Sequence, residues 1–138
     1  MEEMDMKRHP RMLAEAGISP ARYAELRDIC RQYREMRRAV ERARRGDFGR
    51  FELCMRRDPT GNTAAWTASM PEARRLRIID QCAADAGGKV VGRAILRSVT
   101  EGMDYEHLRP PCGMRQFYQM RLAFYVAMDR RLWEGEME

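Results

Sequence analysis

His107 and Cys112 stand five residues apart and are the one close pairing in this sequence of a general base with a nucleophile. A thiol becomes reactive when an imidazole reaches it and the surroundings favour thiolate. Pro110 and Pro111 lie between the two, and a double proline breaks helical geometry, so the side chains should fall on opposite sides of a turn. His107 then reads as a turn or surface residue and Cys112 as a packing residue at a helix start. His9 and His107 are the only histidines, and there is no P-loop, no glycine-rich dinucleotide turn and no His-Glu-x-x-His helix. Gly87-Gly88 resembles a helix stop more than a phosphate cradle. Cys30, Cys54, Cys82 and Cys112 are 24 to 30 residues apart with no Cys-x-x-Cys pair, which suits reduced packing thiols better than zinc ligands or disulfides. The sequence thus predicts no enzyme, no cofactor and no metal.

The charge points instead to binding. The chain has 26 basic residues against 21 acidic ones, a formal net charge of +5, and 24 of the basic residues are arginine. Arginine forks onto phosphates and carboxylates and stacks on bases, so an anionic partner is expected. At 138 residues the chain has the length of one modest domain, and its 44% apolar content suffices for a core if the apolar residues are periodic. No apolar run approaches the roughly 18 residues a spanning helix needs, and Met1 to Arg11 is charged throughout, unlike a signal peptide. A soluble, cytoplasmic protein with no membrane partner is expected.

The elements that must position the binding groups are helical. Ser19-Pro20 supplies an N-cap followed by a proline at the first helical position. Tyr23, Leu26, Cys30, Tyr33 and Val40 follow at three- and four-residue steps, with Ile29 and Met36 widening the stripe, which predicts one long helix to about Gly46. Its other faces carry Arg22, Arg27, Arg31, Arg34, Arg38, Arg42 and Arg45, Arg37 and Arg44 fall at the seam, and the segment from Arg22 to Arg45 nets +5. The heptad-like register is open to a coiled coil or to packing on the same chain. Turn formers concentrate through Asp47, Gly49 and Asp58-Pro59-Thr60-Gly61-Asn62, while Phe48, Phe51, Leu53 and Met55 predict that this linker docks on the body. A second block should start near Asn62 or Thr63, be interrupted at Ser69-Met70-Pro71, and stop at Gly87-Gly88. Val91, Ile95 and Val99 mark a further helix closed by Gly102, Tyr105 and Leu108 a short turn of helix, and Gly113 to Trp133 a last long helix. No segment alternates like a strand. The predicted fold is all-α, with an N-terminal segment (1–57) carrying the basic helix and a helical domain (58–138), together one continuous folded unit.

From Val90 onward the order is helix, glycine turn, short helix, proline-containing turn, long helix, the layout of a helix-turn-helix whose final helix enters the major groove. At 100° per residue, Met114, Phe117, Tyr118, Phe124, Tyr125, Met128 and Leu132 gather on one side of the last helix. Arg115, Gln116, Gln119 and Arg130 gather on the other, with Ala123 between them. Arginine bridges the two acceptors of guanine and glutamine matches adenine, so Arg115, Gln116 and Gln119, on the first two turns, are the expected base readers. Arg121 falls among the aromatics and must snorkel outward or pair with a carboxylate such as Asp104 or Glu106.

The run Thr100-Glu101-Gly102-Met103-Asp104-Tyr105-Glu106-His107-Leu108, then Pro111-Cys112-Gly113-Met114-Arg115-Gln116-Phe117-Tyr118, Arg121 and Phe124-Tyr125, resembles the C-terminal region of small phage and prophage transcriptional regulators of the RinA and ArpU type. Asp58-Pro59-Thr60-Gly61-Asn62 is similar to the linker of these sigma-factor-like proteins, and the likeness spans about the last 80 residues. Cys112-Gly113-Met114 and Gln119 depart from the more basic start of the last helix in that family. The resemblance implies control of phage or mobile-element transcription, through promoter DNA or a region-four-like contact with RNA polymerase.

The sequence thus predicts a double-stranded DNA partner, with RNA polymerase or another host protein as a second one, bound by a monomer or homodimer. Expected phosphate contacts are Lys89, Arg93, Arg109, Arg121 and Arg130, with Arg31, Arg34, Arg38 and Arg42 on the basic helix. The segment from Pro71 onward nets only +1, which keeps a second reading open: a mobile-element module that binds or inhibits a host nucleic-acid enzyme through its arginine-rich helix.

Overall fold

A computed structural model describes residues 10–45 and 70–137, with side chains for 13–45 and 70–134. The described residues form helices and turns without a strand, so the fold is all-α. The helices are α1 (Pro10–Glu15), α2 (Pro20–Arg31), α3 (Tyr33–Arg44), α4 (Pro71–Glu101), α5 (Tyr105–Leu108) and α6 (Met114–Met137). The linker through Asp58–Asn62 and the helix start expected at Asn62 or Thr63 lie outside the described residues.

The expected signals act where the sequence places them. Ser19 is extended, its Oγ accepts from the Arg22 amide at 3.1 Å, and Pro20 opens α2. Gly88, with φ 72° and ψ −162°, divides α4 into segments 71–87 and 89–101. Gly102, with φ 73°, ends it, and its amide donates to the Ser98 carbonyl at 3.0 Å. The two segments of α4 meet backbone to backbone. A Cβ on Gly92 would lie 2.8 Å from the Ala83 carbonyl oxygen, and one on Gly87 would lie 2.7 Å from the Gly92 nitrogen. Glycine is thus required on both sides of the bend.

The long helix expected from Pro20 to Gly46 is instead two helices. Gln32 (φ −81°, ψ 2°) leaves the helical region, and its amide donates to the Ile29 carbonyl at 3.1 Å, a tightened last turn of α2. The stripe itself survives the break: Tyr23, Leu26 and Cys30 are buried on α2, and Tyr33, Met36, Val40 and Ala43 on α3.

The chain divides into two compact units, Met1–Gln32 with Ile78–Glu138, and Tyr33–Arg77. In this division α2 belongs with α6. The Tyr23 and Tyr125 rings meet edge to face at 5.1 Å, Cys30 Sγ lies 3.6 Å from Met128 Sδ, and Arg22 pairs with Asp129. The first unit closes around Leu26, Cys30, Ile79, Cys82, Ile95, Phe117, Phe124 and Met128, all fully buried. Burial on this scale, at about 25 cal/mol per Å² of apolar surface, is what holds α2, α4 and α6 together.

Candidate nucleic-acid interface

The start of α6 is held by the short structure before it. Asp104 is extended and caps α5, its Oδ1 accepting from the His107 amide at 3.0 Å and lying 2.6 Å from His107 Nδ1. Arg109 ends α5 in the left-handed region (φ 44°, ψ 57°), and its amide donates to the Tyr105 carbonyl at 2.9 Å. Pro110 and Pro111 then carry the chain across. The Tyr105 hydroxyl donates to the Cys112 carbonyl at 2.5 Å, its ring lies 5.8 Å from that of Phe117, and the Phe117 amide donates to Gly113 at 2.9 Å to open α6. The elements thus run α4, glycine turn, α5, proline-containing turn and α6, with α5 only a single turn long.

The partition of α6 follows the expected faces. Phe117, Tyr118, Phe124, Tyr125, Met128 and Leu132 are buried, while Arg115, Gln116, Gln119, Ala123 and Arg130 are exposed. All three expected base readers therefore stand on the solvent side of the first two turns. Met114 departs from its stripe and is 38% exposed. It is the first residue of the helix, where an angular position on the inner face does not guarantee a covering neighbour.

Arg121 drops out of the phosphate-contacting set. It is 6% exposed, its Nη1 donates to the buried Ser98 Oγ at 3.1 Å, and its guanidinium carbon lies 4.6 Å from the centre of the Tyr118 ring. Its guanidinium meets a hydroxyl and an aromatic face inside the fold, so it does not snorkel out to reach a backbone phosphate.

Lys89, Arg93, Arg109, Arg130 and Arg31, in the same unit as α6, are exposed. In the other unit Arg34, Arg38 and Arg42 are exposed, on the side of α3 away from its buried stripe. There Glu35, Arg38, Glu41, Arg42 and Arg45 line a concavity of about 440 Å³, and Arg37 lies 3.9 Å from Glu41. The field of α3 is thus positive but interleaved with acids, and exposed pairs of this kind hold their partners weakly.

His107 and Cys112 keep separate company. The imidazole, 70% exposed, is paired with Asp104, which holds it protonated above its ordinary range, first through the hydrogen bond and then through charge. Cys112 is half-buried, and its carbonyl serves Tyr105. Burial pushes the thiols of Cys30 and Cys82 up, so both are protonated packing groups at neutral pH. Cys54 lies outside the described residues. Among the described residues no group of three or more histidine, cysteine, aspartate or glutamate side chains is placed to hold a metal ion, and no helix is long and apolar enough to cross a membrane.

Two exposed apolar side chains were not singled out by the sequence patterns: Trp133, 59% exposed, and Val90, 64% exposed. Arg131 Nη2 donates to Asp85 Oδ2 at 2.7 Å, a tie between α6 and α4. Trp133 continues the outer face of α6 that begins at Arg115, which was the available signal. No family model matches the chain, and no curated protein or solved structure matches it.

Proposed function

We propose that the protein is a DNA-binding transcription regulator of a phage or other mobile element, and that the first two turns of α6 enter the major groove. One observation carries this reading: Arg115, Gln116 and Gln119, side chains that pair with base edges, are exposed together while the opposite face of α6 is locked into the core. The capped α5 and the closed turn before α6 give the helix start the rigidity that a base-reading element needs. Lys89, Arg93, Arg109 and Arg130 supply phosphate contacts, with Arg31 and the α3 arginines Arg34, Arg38 and Arg42 as further ones. The resemblance to the RinA and ArpU regulators supports the same reading. The cell interior follows as the place of action.

The test is Arg115, Gln116 and Gln119 changed together to alanine. Preference for duplexes enriched from a randomised pool should disappear while helical content, read by circular dichroism, is unchanged. Retained preference sinks the assignment.

A second reading has its own observation. Exposed Trp133 and Val90 suit a protein contact better than a phosphate, which favours a module that docks on RNA polymerase or another host protein. Salt separates the two. Each phosphate neutralised on duplex DNA contributes about 0.9 to the slope of log affinity against log salt, whereas an apolar protein interface responds far less. Absence of duplex affinity at about 50 mM salt favours the protein partner.

A further inference from the structure

Arg121 has a place in the fold that its chemistry does not require for stability alone. It is a charge buried between α6 and segment 89–101 of α4, and aliphatic residues fill such positions without the desolvation cost of an ion. A buried arginine adds directionality. Its planar fork meets Ser98 Oγ at 3.1 Å in one orientation, and its face lies on Tyr118 in the same orientation. Ser98 is itself 4% exposed, and its carbonyl takes the Gly102 amide that ends α4, so the acceptor is fixed at both its backbone and its side chain.

The position of Arg121 on α6 gives this fixation a consequence. At 100° per residue Arg121 lies roughly 160° round the helix from Gln119, on the inner side directly behind the base-reading residues. The apolar contacts of Phe117, Phe124 and Met128 resist separation of α6 from the core, but they are non-directional and resist rotation about its axis less well. A rotation of about 15° moves a side-chain tip at a radius of about 6 Å by about 1.6 Å, which is enough to break a hydrogen bond to a base edge.

We infer that Arg121, held flat by Tyr118 of its own helix and bonded across to Ser98 of α4, is a positioning residue that sets the rotation of α6 and with it the register of Arg115, Gln116 and Gln119 on DNA. The inference rests on the base-reading proposal and adds to it a residue that touches no nucleic acid. It predicts a loss of discrimination without a loss of general affinity, because Lys89, Arg93, Arg109 and Arg130 are untouched.

The experiment measures binding of the full chain to duplexes enriched from a randomised pool by the unaltered protein, and to the unselected pool, at one salt concentration. Arg121→Met, close in length and able to pack, should lower the ratio of selected to unselected affinity at least about tenfold, with unselected affinity changed less than about twofold. Ser98→Ala should shift the ratio in the same direction by a smaller factor. Arg121→Lys, which restores a donor to Ser98 but not the planar face, should recover part of the ratio. Equal falls in both affinities, tracking the folded fraction by circular dichroism, assign Arg121 to stability alone and overturn the inference, as does an unchanged ratio. If Arg121→Met does not fold, Ser98→Ala and Arg121→Lys decide by the same ratio. Absence of any selected site for the unaltered protein removes the base-reading proposal itself, a failure distinct from an unchanged ratio in the variants.

Discussion

The hydroxyl of Tyr105 donates to the carbonyl of Cys112 at 2.5 Å, closing the turn between α5 and α6 across Pro110 and Pro111. Proline has no amide hydrogen to donate across such a turn, and the tyrosine adds a cross-link from a side chain beside the Cys112 amide bond to the Pro110 carbonyl.

Tyr105→Phe keeps the ring beside Phe117 and removes only this hydrogen bond. The expected loss of stability is about 1 kcal/mol, measured by urea denaturation, with the midpoint lowered and the slope unchanged. No change in the midpoint would show that water replaces the hydroxyl without cost.

Phe117→Ala and Phe124→Ala each delete a ring with 0% exposure. The expected destabilisation is about 3 to 5 kcal/mol for either, the usual cost of deleting a buried phenyl group with partial collapse of the cavity. A loss below about 1 kcal/mol would place the ring at the surface and invert the faces of α6.

Gly92→Ala puts a methyl group 2.8 Å from the Ala83 carbonyl oxygen, a contact with backbone on both sides. A loss of about 1 to 3 kcal/mol is expected, as for overpacking elsewhere. Gly88→Ala meets no atom, and its cost comes instead from φ 72° with an extended ψ, of the order of 1 to 3 kcal/mol. Thermal melting of the two variants distinguishes a steric from a conformational penalty: a larger residue at 88 should add little beyond alanine, and one at 92 should add more.

His107 titrates higher when folded than its ordinary value of about 6.5, because Asp104 accepts its proton in a hydrogen bond; the nearby Glu106 acts in the same sense. A folded value above the unfolded one means that the pair contributes its stability below about pH 6.5 and loses it as pH rises through the folded value. The melting temperature of the unaltered protein relative to His107→Gln should therefore be higher near pH 5.5 than near pH 8.5, and the imidazole resonances of His107 should titrate above about 6.5. An equal difference at both pH values would contradict the pairing.

Local signals in the sequence reached as far as local causes extend. Ser19-Pro20, Gly88 and Gly102 mark chain geometry that one or two residues dictate, and each marks an element end or bend in the structure. The faces of α6 were legible because an apolar stripe about five turns long averages out single exceptions. Three features were not legible. The break at Gln32 occurs in a residue with good helix propensity and no glycine or proline beside it, so tertiary packing sets it. The partnership of α2 with α6 depends on contacts between residues about a hundred positions apart, which periodicity does not encode. The angle of Arg121 placed it inside the aromatic stripe, but its interior partner, Ser98, lies on another helix. Of the candidate interface, the exposed trio was readable and the pin behind it was not.

The pairing of α2 with α6 also orders events during synthesis. Arg22 and Cys30 leave the ribosome about a hundred residues ahead of Asp129 and Met128, their partners. At about 5 to 20 residues per second, the apolar stripe of α2 waits on the order of 5 to 20 s before its cover is translated. During that interval Tyr23, Leu26 and Cys30 form an uncovered amphipathic surface on the nascent chain, so the first unit is completed only when α6 emerges, and a stop codon ahead of α6 would leave α2 a substrate for chaperones and proteases.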